Sequence, residues 1–253
     1  MGTPAGRGTG GLMEFLGRVA EWFAEPARWT GSEGIPARLG EHVGMSALSV
    51  SVAAAVAVPL GLLIGHTRRF ELVAVSAANL GRAIPSLAIL GFAFVILLPW
   101  GAAFGVWPTA IALVLLAIPP ILTNTVAGIR SVDPDAVEAA RGMGMTGMEV
   151  VRRIEVPLAT PLIVAGLRTA AVQVVATATL AALVAWGGLG RFIIDGFAVG
   201  DRPRIFGGAV LVAGLALLTE AAFAVLERRV RPRTSSARTG MPAWPPRLPQ
   251  KAA

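Results

Sequence analysis

The sequence predicts an all-α polytopic membrane protein with about five transmembrane helices. Three observations carry that reading. The 253 residues are 55% hydrophobic, with a mean hydropathy of +0.69 and only 15% charge, where a soluble domain holds roughly 45–50% apolar residues and about 25% charge. The apolar residues gather into runs near the ~20 residues that a helix needs to cross a bilayer core. The arginines gather into short segments between the runs and into the C-terminal tail, as expected for cytoplasmic loops.

The elements follow in chain order. In the N-terminal arm, Leu12, Phe15, Leu16, Val19, Trp22 and Phe23 recur at helical spacing. They predict a short amphipathic helix over 12–26 lying in a membrane interface. No cleavable leader is evident there. A charge-free run over 44–65 is the first span, with a kink expected at Pro59. The second covers 83–100 and is expected to extend backward through 72–80. The third runs over 106–129 and contains Pro119-Pro120. The fourth starts near Leu158, includes Arg168 and ends around Trp186. The fifth covers 205–226 and includes Glu220. Three regions result: an arm over 1–41, a membrane-spanning region over 42–230 and a basic tail over 231–253. The Arg, Pro, Ser and Thr content of the tail predicts disorder.

Arginine placement orients the chain. Arg68, Arg69, Arg130, Arg141, Arg152 and Arg153 fall on the side of the basic tail, which is therefore expected to be cytoplasmic. With an odd number of spans the arm lies outside the cell membrane and the C-terminus inside.

Composition also excludes several classes. There are no cysteines, hence no disulfides and no thiolate metal site. The two histidines, His42 and His66, stand singly near membrane boundaries and read as interfacial residues. No metal site is expected. The +7 net charge is spread over loops and tail and forms no basic face for nucleic acid. No phosphate-binding G-x-x-x-x-G-K-[ST] occurs, so the chain itself is expected to bind no nucleotide. No His/Asp/Glu or Ser/His constellation points to a membrane enzyme.

The segment 130–157 carries the densest local signals. Asp133 is a helix N-cap, Pro134 suits the first helical position and Asp135 complements the helix dipole. A short helix is predicted from there to about Arg141, ended by Gly142 and Gly144. Thr146-Gly147-Met148-Glu149 fits a capping box opening a second short helix, which Pro157 would end at the entry to the fourth span. From local chemistry alone, the result is either a knob suited to a partner's groove or a capped hairpin that satisfies only its own backbone.

A family resemblance favours the knob. Glu138-Ala139-Ala140, three residues, Gly144, nine residues, then Ile154-Glu155-Val156-Pro157 resembles the cytoplasmic EAA loop of bacterial ATP-binding-cassette importer permeases, whose usual ending is I-x-L-P. The resemblance extends from about residue 42 to Arg231. It takes in Ile84-Pro85-Ser86-Leu87-Ala88, the run over 119–125, the block EAARGMGMTG over 138–147, residues 178–183 and the glycine-rich 187–190. Together these blocks are similar to permeases for osmoprotectants: glycine betaine, carnitine, choline or proline betaine. Arg82-Ala83, where relatives often carry Gln-Thr, and Trp186 depart from that pattern.

The resemblance implies the type I, methionine-importer-like permease fold, with transport by alternating access. It implies a separate ATPase, which uses the ATP and Mg, docked on Glu138, Ala139, Ala140, Gly144, Ile154 and Pro157. It further implies an extracytoplasmic solute-binding protein, a second permease subunit (a copy or a paralogue) and a lipid bilayer. Arg82, Pro85, Ser86, Asn124, Thr177 and Thr179 are the candidates for the translocation path or gate. Helix–helix hydrogen bonding accounts for the same polar residues equally well. Arg82, Arg168 and Glu220 are read as snorkelling to the cytoplasmic interface. Permeases for methionine share the loop but match the other blocks less well. A secondary transporter would need an ionisable relay at mid-membrane, which the sequence lacks.

Overall fold

The computed structural model describes residues 7–101 and 105–230. The segment read as a disordered tail lies outside the described residues. All regular structure within them is helical, so the predicted fold class holds. The helices are α1 (Arg7–Ala24), α2 (Ile35–Thr67), α3 (Glu71–Ala83), α4 (Ser86–Leu97), α5 (Val106–Arg130), α6 (Pro134–Gly142), α7 (Gly147–Val150), α8 (Val156–Thr177), α9 (Gly190–Val199) and α10 (Arg202–Val230). Among the described residues, four helices are long and apolar enough to cross a membrane, and five if α3 and α4 together make one span.

Helices α2, α5 and α8 form the core. Ala53, Ala57 and Ile64 of α2 pack with Leu113, Ala117, Ile121 and Val126 of α5 and with Ala170 and Val174 of α8. Small residues let these backbones approach closely. A β-carbon on Gly61 would lie 2.7 Å from that of Thr125, and one on Gly65 would lie 2.7 Å from that of Ile129. Across the α5–α8 face, one on Gly166 would lie 2.7 Å from that of Asn124. Between lipid-embedded helices, where water gives no drive to associate, such close packing supplies much of the attraction.

The second apolar span is not straight. α3 and α4 meet at a 90° bend, centred on Ile84 in an extended conformation (φ −75°, ψ 122°). The ring of Pro85 clashes with an α-helical conformation at the residue before it. The chain therefore turns a corner, and the Pro85 carbonyl accepts from Ala88 and Ile89 to start α4.

The fourth span begins earlier than predicted and absorbs Pro157. From Gly147 to Val184 the chain is one 38-residue helical rod: α7, a π-helical turn over Val151–Glu155, α8, and a 3-10 stretch over Ala178–Val184. The Val156 amide donates to the Val151 carbonyl in the wider turn. Pro157, which has no amide to donate, sits just past it in the first turn of α8, where that loss is tolerated.

Two further differences concern the opposite end. The short helix α9, unread in the sequence, fills the connection before α10. The arm is helical as predicted, but its apolar stripe does more than lie in an interface. Trp22 is buried edge-on against Phe192 at 5.5 Å between ring centres, and Phe15 meets Phe206 of α10 at 5.5 Å.

If close approach holds the core, Gly61→Leu should lower the thermal unfolding midpoint by an amount corresponding to about 1–3 kcal/mol of overpacking. Gly44→Leu, on the same helix with nothing within 4 Å of the new carbon, should leave the midpoint near wild type in the same detergent.

Candidate functional site

The loop between α5 and α8 is organised by its own side chains. The Asp133 carboxylate accepts from the Asp135 amide at 2.9 Å and caps α6. After Gly142, the Gly144 amide donates to the Arg141 carbonyl and the Met145 amide to that of Ala140. Gly144 has φ +85°, and a β-carbon there would meet nothing within 4 Å. Backbone conformation, rather than space, is what demands glycine.

Thr146 and Glu149 complete the capping box: the Thr146 amide donates to the Glu149 carboxylate at 2.9 Å, and the Glu149 amide to the Thr146 hydroxyl at 3.4 Å. Ala140 and Val150 point inward, at 1% and 0% exposure. Glu138, Ala139, Met143 and Met148 face outward, and Ile154 is half-buried. The loop thus shows a small face with two exposed methionines, and α7 joins it without a break to the helix behind. Pro157 is exposed on the first turn of that helix.

Glu155, within the Ile154–Pro157 block, is 5% exposed and pairs with His66 Nδ1 of α2 at 2.8 Å. The sequence treated His66 as a solitary interfacial residue. Its partner lies 89 positions away, a separation at which no local signal exists.

The six path candidates do not converge. Ser86 and Thr177 share, with Thr109, a cavity of about 10 Å³, room for no more than one water. Arg82 donates to the Thr123 hydroxyl at 2.7 Å. Thr123, Asn124 and Thr125 each donate to the carbonyl four residues back, at 2.9, 2.8 and 2.8 Å, so these polar groups are satisfied inside α5. Asn124 also packs against Gly166. Thr179 donates to the Ala176 carbonyl and borders Gly190. Pro85 forms the exposed corner between α3 and α4.

Arg168 and Glu220 differ from the snorkelling expectation. Arg168 of α8 lies between the Glu220 and Glu227 carboxylates of α10, donating to both, to Glu227 at 2.9 Å. Helical spacing places the two glutamates on one face, since they lie seven apart. That Arg168 joins them to α8, from 52 and 59 positions away, was invisible in the sequence.

At the opposite end of the bundle a second nonlocal cluster holds the glycine-rich segment. The Gly188 amide donates to the Glu41 carboxylate at 2.7 Å, and the Leu189 amide to His42 Nδ1 at 3.3 Å. His42 Nε2 then donates to the Val175 carbonyl at 2.9 Å. Glu41 in turn pairs with Arg38 at 3.1 Å. A β-carbon on Gly187 would displace the Glu41 carboxylate, and one on Gly190 would meet the Thr179 backbone, so glycine is needed for close approach at 190.

A bundle of apolar helices with a capped loop standing off one end defines a multi-pass membrane protein. Residues 57–232 match the binding-protein-dependent transport system inner membrane component family, and the chain belongs to that family.

Its relatives include the glycine betaine/carnitine/choline transport system permease protein OpuCB of Bacillus subtilis (strain 168). That protein is 39% identical over 196 residues, covering 78% of this chain and 88% of the relative. The choline transport system permease protein OpuBB of the same organism is 39% identical over 192 residues, 76% and 86% of the two chains. The osmoprotectant import permease protein OsmW of Salmonella typhimurium is 34% identical over 180 residues, 71% and 84%.

Among solved structures, an inward-facing MetNI methionine ABC transporter matches with a TM-score of 0.71 at 23% identity, over 82% of this chain and 99% of its own. An amino acid ABC transporter matches with a TM-score of 0.60 at 21% identity, over 87% and 97%. At these identities the structural matches bear on the fold alone, which agrees with the methionine-importer-like architecture expected from the sequence.

Proposed function

We propose that this chain is the permease subunit of an ATP-driven importer for osmoprotectants such as glycine betaine, carnitine, choline and proline betaine. The observation that carries this reading is 39% identity, over most of both chains, to permeases named for glycine betaine, carnitine and choline. Methionine is the weaker reading, because likeness to a methionine transporter rests on fold at 23% identity.

In this reading the arm is extracytoplasmic and the C-terminus cytoplasmic. Two permease subunits, copies or paralogues, enclose the path, and a separate binding protein delivers the solute. ATP and Mg are used by a partner ATPase docked on α6, with Glu138 and Ala139 presented at the contact. Gly144 sets the turn that presents them, Ala140 and Ile154 pack beneath the loop, and Pro157 lies exposed on the first turn of the helix behind it. Closure of the ATPase pulls on the loop, and the rod from Gly147 to Val184 carries that displacement into the bilayer as one body.

The chain has no tyrosine, and quaternary ammonium is bound best by cages of aromatic faces. High-affinity recognition therefore belongs to the binding protein, with weakly selective passage here. Thr177, Thr179, Ser86 and Arg82 remain path candidates, whereas the internal bonding of Asn124 favours a packing role.

Two outcomes test this reading in a complex reconstituted with its ATPase and binding protein. Betaine-type solutes should be taken up in an ATP-dependent manner; uptake of methionine with no response to quaternary ammonium solutes would overturn the substrate assignment. Gly144→Val imposes roughly 1 kcal/mol or more of local strain on a left-handed position. It and, less severely, Glu138→Lys should insert normally yet weaken ATPase association and abolish solute-stimulated hydrolysis. Wild-type association and transport in both variants would end the docking role.

A further inference from the structure

Between the ends of α2 and α5 and one exposed flank of α6 lies a cavity of about 650 Å³. Its charged lining comes from separate segments: Arg68 and Arg69 of the α2–α3 turn, Arg130 at the end of α5, and Glu138 and Arg141 of α6. Two further lining groups, His66 and Glu155, satisfy each other at 2.8 Å, and Arg130 pairs with Glu71 at 3.1 Å. Among the described residues no carboxylate lies within ion-pair distance of Arg68, Arg69 or Arg141. Three unpaired arginines, beside the paired Arg130, thus share one cavity with a single unpaired carboxylate, that of Glu138. Like charges converge in this way at a cost unless an anion joins them.

The turn that supplies two of these arginines is built with unusual backbone. Arg68 and Phe70 have φ +56° and +59°, two of the three non-glycine residues with positive φ among the described residues. From the same turn Phe70 and Leu72 project at 76% and 84% exposure. An arginine pair directly beside large bare apolar side chains, one turn beyond a membrane-length helix, marks the depth where phosphates meet acyl chains. A soluble anion would use the arginines but leave Phe70 and Leu72 bare.

We infer that this cavity binds the headgroup of an anionic phospholipid, its phosphate held by Arg68, Arg69 and Arg141 and its acyl chains lying along Phe70 and Leu72. Basic pockets at the cytoplasmic ends of membrane helices suit such headgroups. The inference rests on the orientation proposed above. Because Arg141 rides on α6 while Arg68 and Arg69 ride on the spans, the bound lipid ties the coupling helix to the membrane and makes coupling sensitive to headgroup charge.

The test uses the permease–ATPase complex in nanodiscs of phosphatidylcholine alone or mixed with phosphatidylglycerol. Wild type should retain phosphatidylglycerol in native mass spectrometry and hydrolyse ATP several-fold faster when it is present. Arg68→Gln combined with Arg69→Gln should lower retention roughly tenfold or more and flatten the response, with the ATPase still associated. Glutamine makes the same backbone demand as arginine, so the turn is unchanged.

Equal rates and no retained lipid in wild type would overturn the inference. So would loss of ATPase association in the double variant without any headgroup dependence, which would make the arginines an ATPase contact. Stimulation by inorganic phosphate in pure phosphatidylcholine would make the site one for soluble anions and equally overturn the lipid. Labelling of a cysteine at Met143 from the cytoplasmic side checks the orientation separately, in a chain with no cysteine of its own.

Discussion

A backbone inside a bilayer has no water to bond with, so it must satisfy itself, and helices are how this chain does so. Once every span is a helix, lipid competes well for its apolar surface, and association depends on how closely the backbones can approach. That constraint organises the structure. Gly61 and Gly65 open α2 to Thr125 and Ile129 of α5, and Gly166 opens α8 to Asn124. The three helices so joined carry the core, and the remaining elements attach to it: α3 and α4 bent around Pro85, α10 pinned through Arg168, and α1 through Trp22.

The loop that stands off one end inherits its rigidity from the same core. Its caps are local, but its attachment is not. The Glu155–His66 pair fixes the π-helical turn to the end of α2, and beyond it α8 is packed against α5. Met148 lies on the helical rod itself, which runs on from Gly147 to Val184. At the other end, the His42 and Glu41 bonds to residues 187–190 join α2 to the segment leading into α9. The first long helix is thereby held at both of its ends to the chain that follows the loop.

Much of this was legible in the sequence, for identifiable reasons. Apolar run length located the spans, and the signals at Asp133, Thr146 and Glu149 work over three residues or fewer, so the loop's caps could be read directly. What escaped was nonlocal or depended on how a proline is accommodated. Run length cannot tell a straight span from one folded at Pro85. Pro157 looked like a helix terminator because a π-helical turn leaves no pattern in composition. Arg168 was read alone since its carboxylates come from α10, and His42 because the amide it accepts from lies 147 positions away. Asn124 was read as a path candidate, and no sequence signal shows that its amide bonds to the Pro120 carbonyl within its own helix.

The central claim is that the segment from Gly147 to Val184 moves as one rod when the loop is displaced. Spin labels at Met148 and Leu183, both exposed, can be placed in one permease copy paired with an unlabelled copy, in complex with the ATPase. Electron–electron distance measurement should give the same separation in nucleotide-free and ATP-bound states. Single labels at Met148 in both copies should meanwhile move relative to each other. A within-chain separation that changes as much as the distance between copies would place a hinge in the π-helical turn and contradict the account.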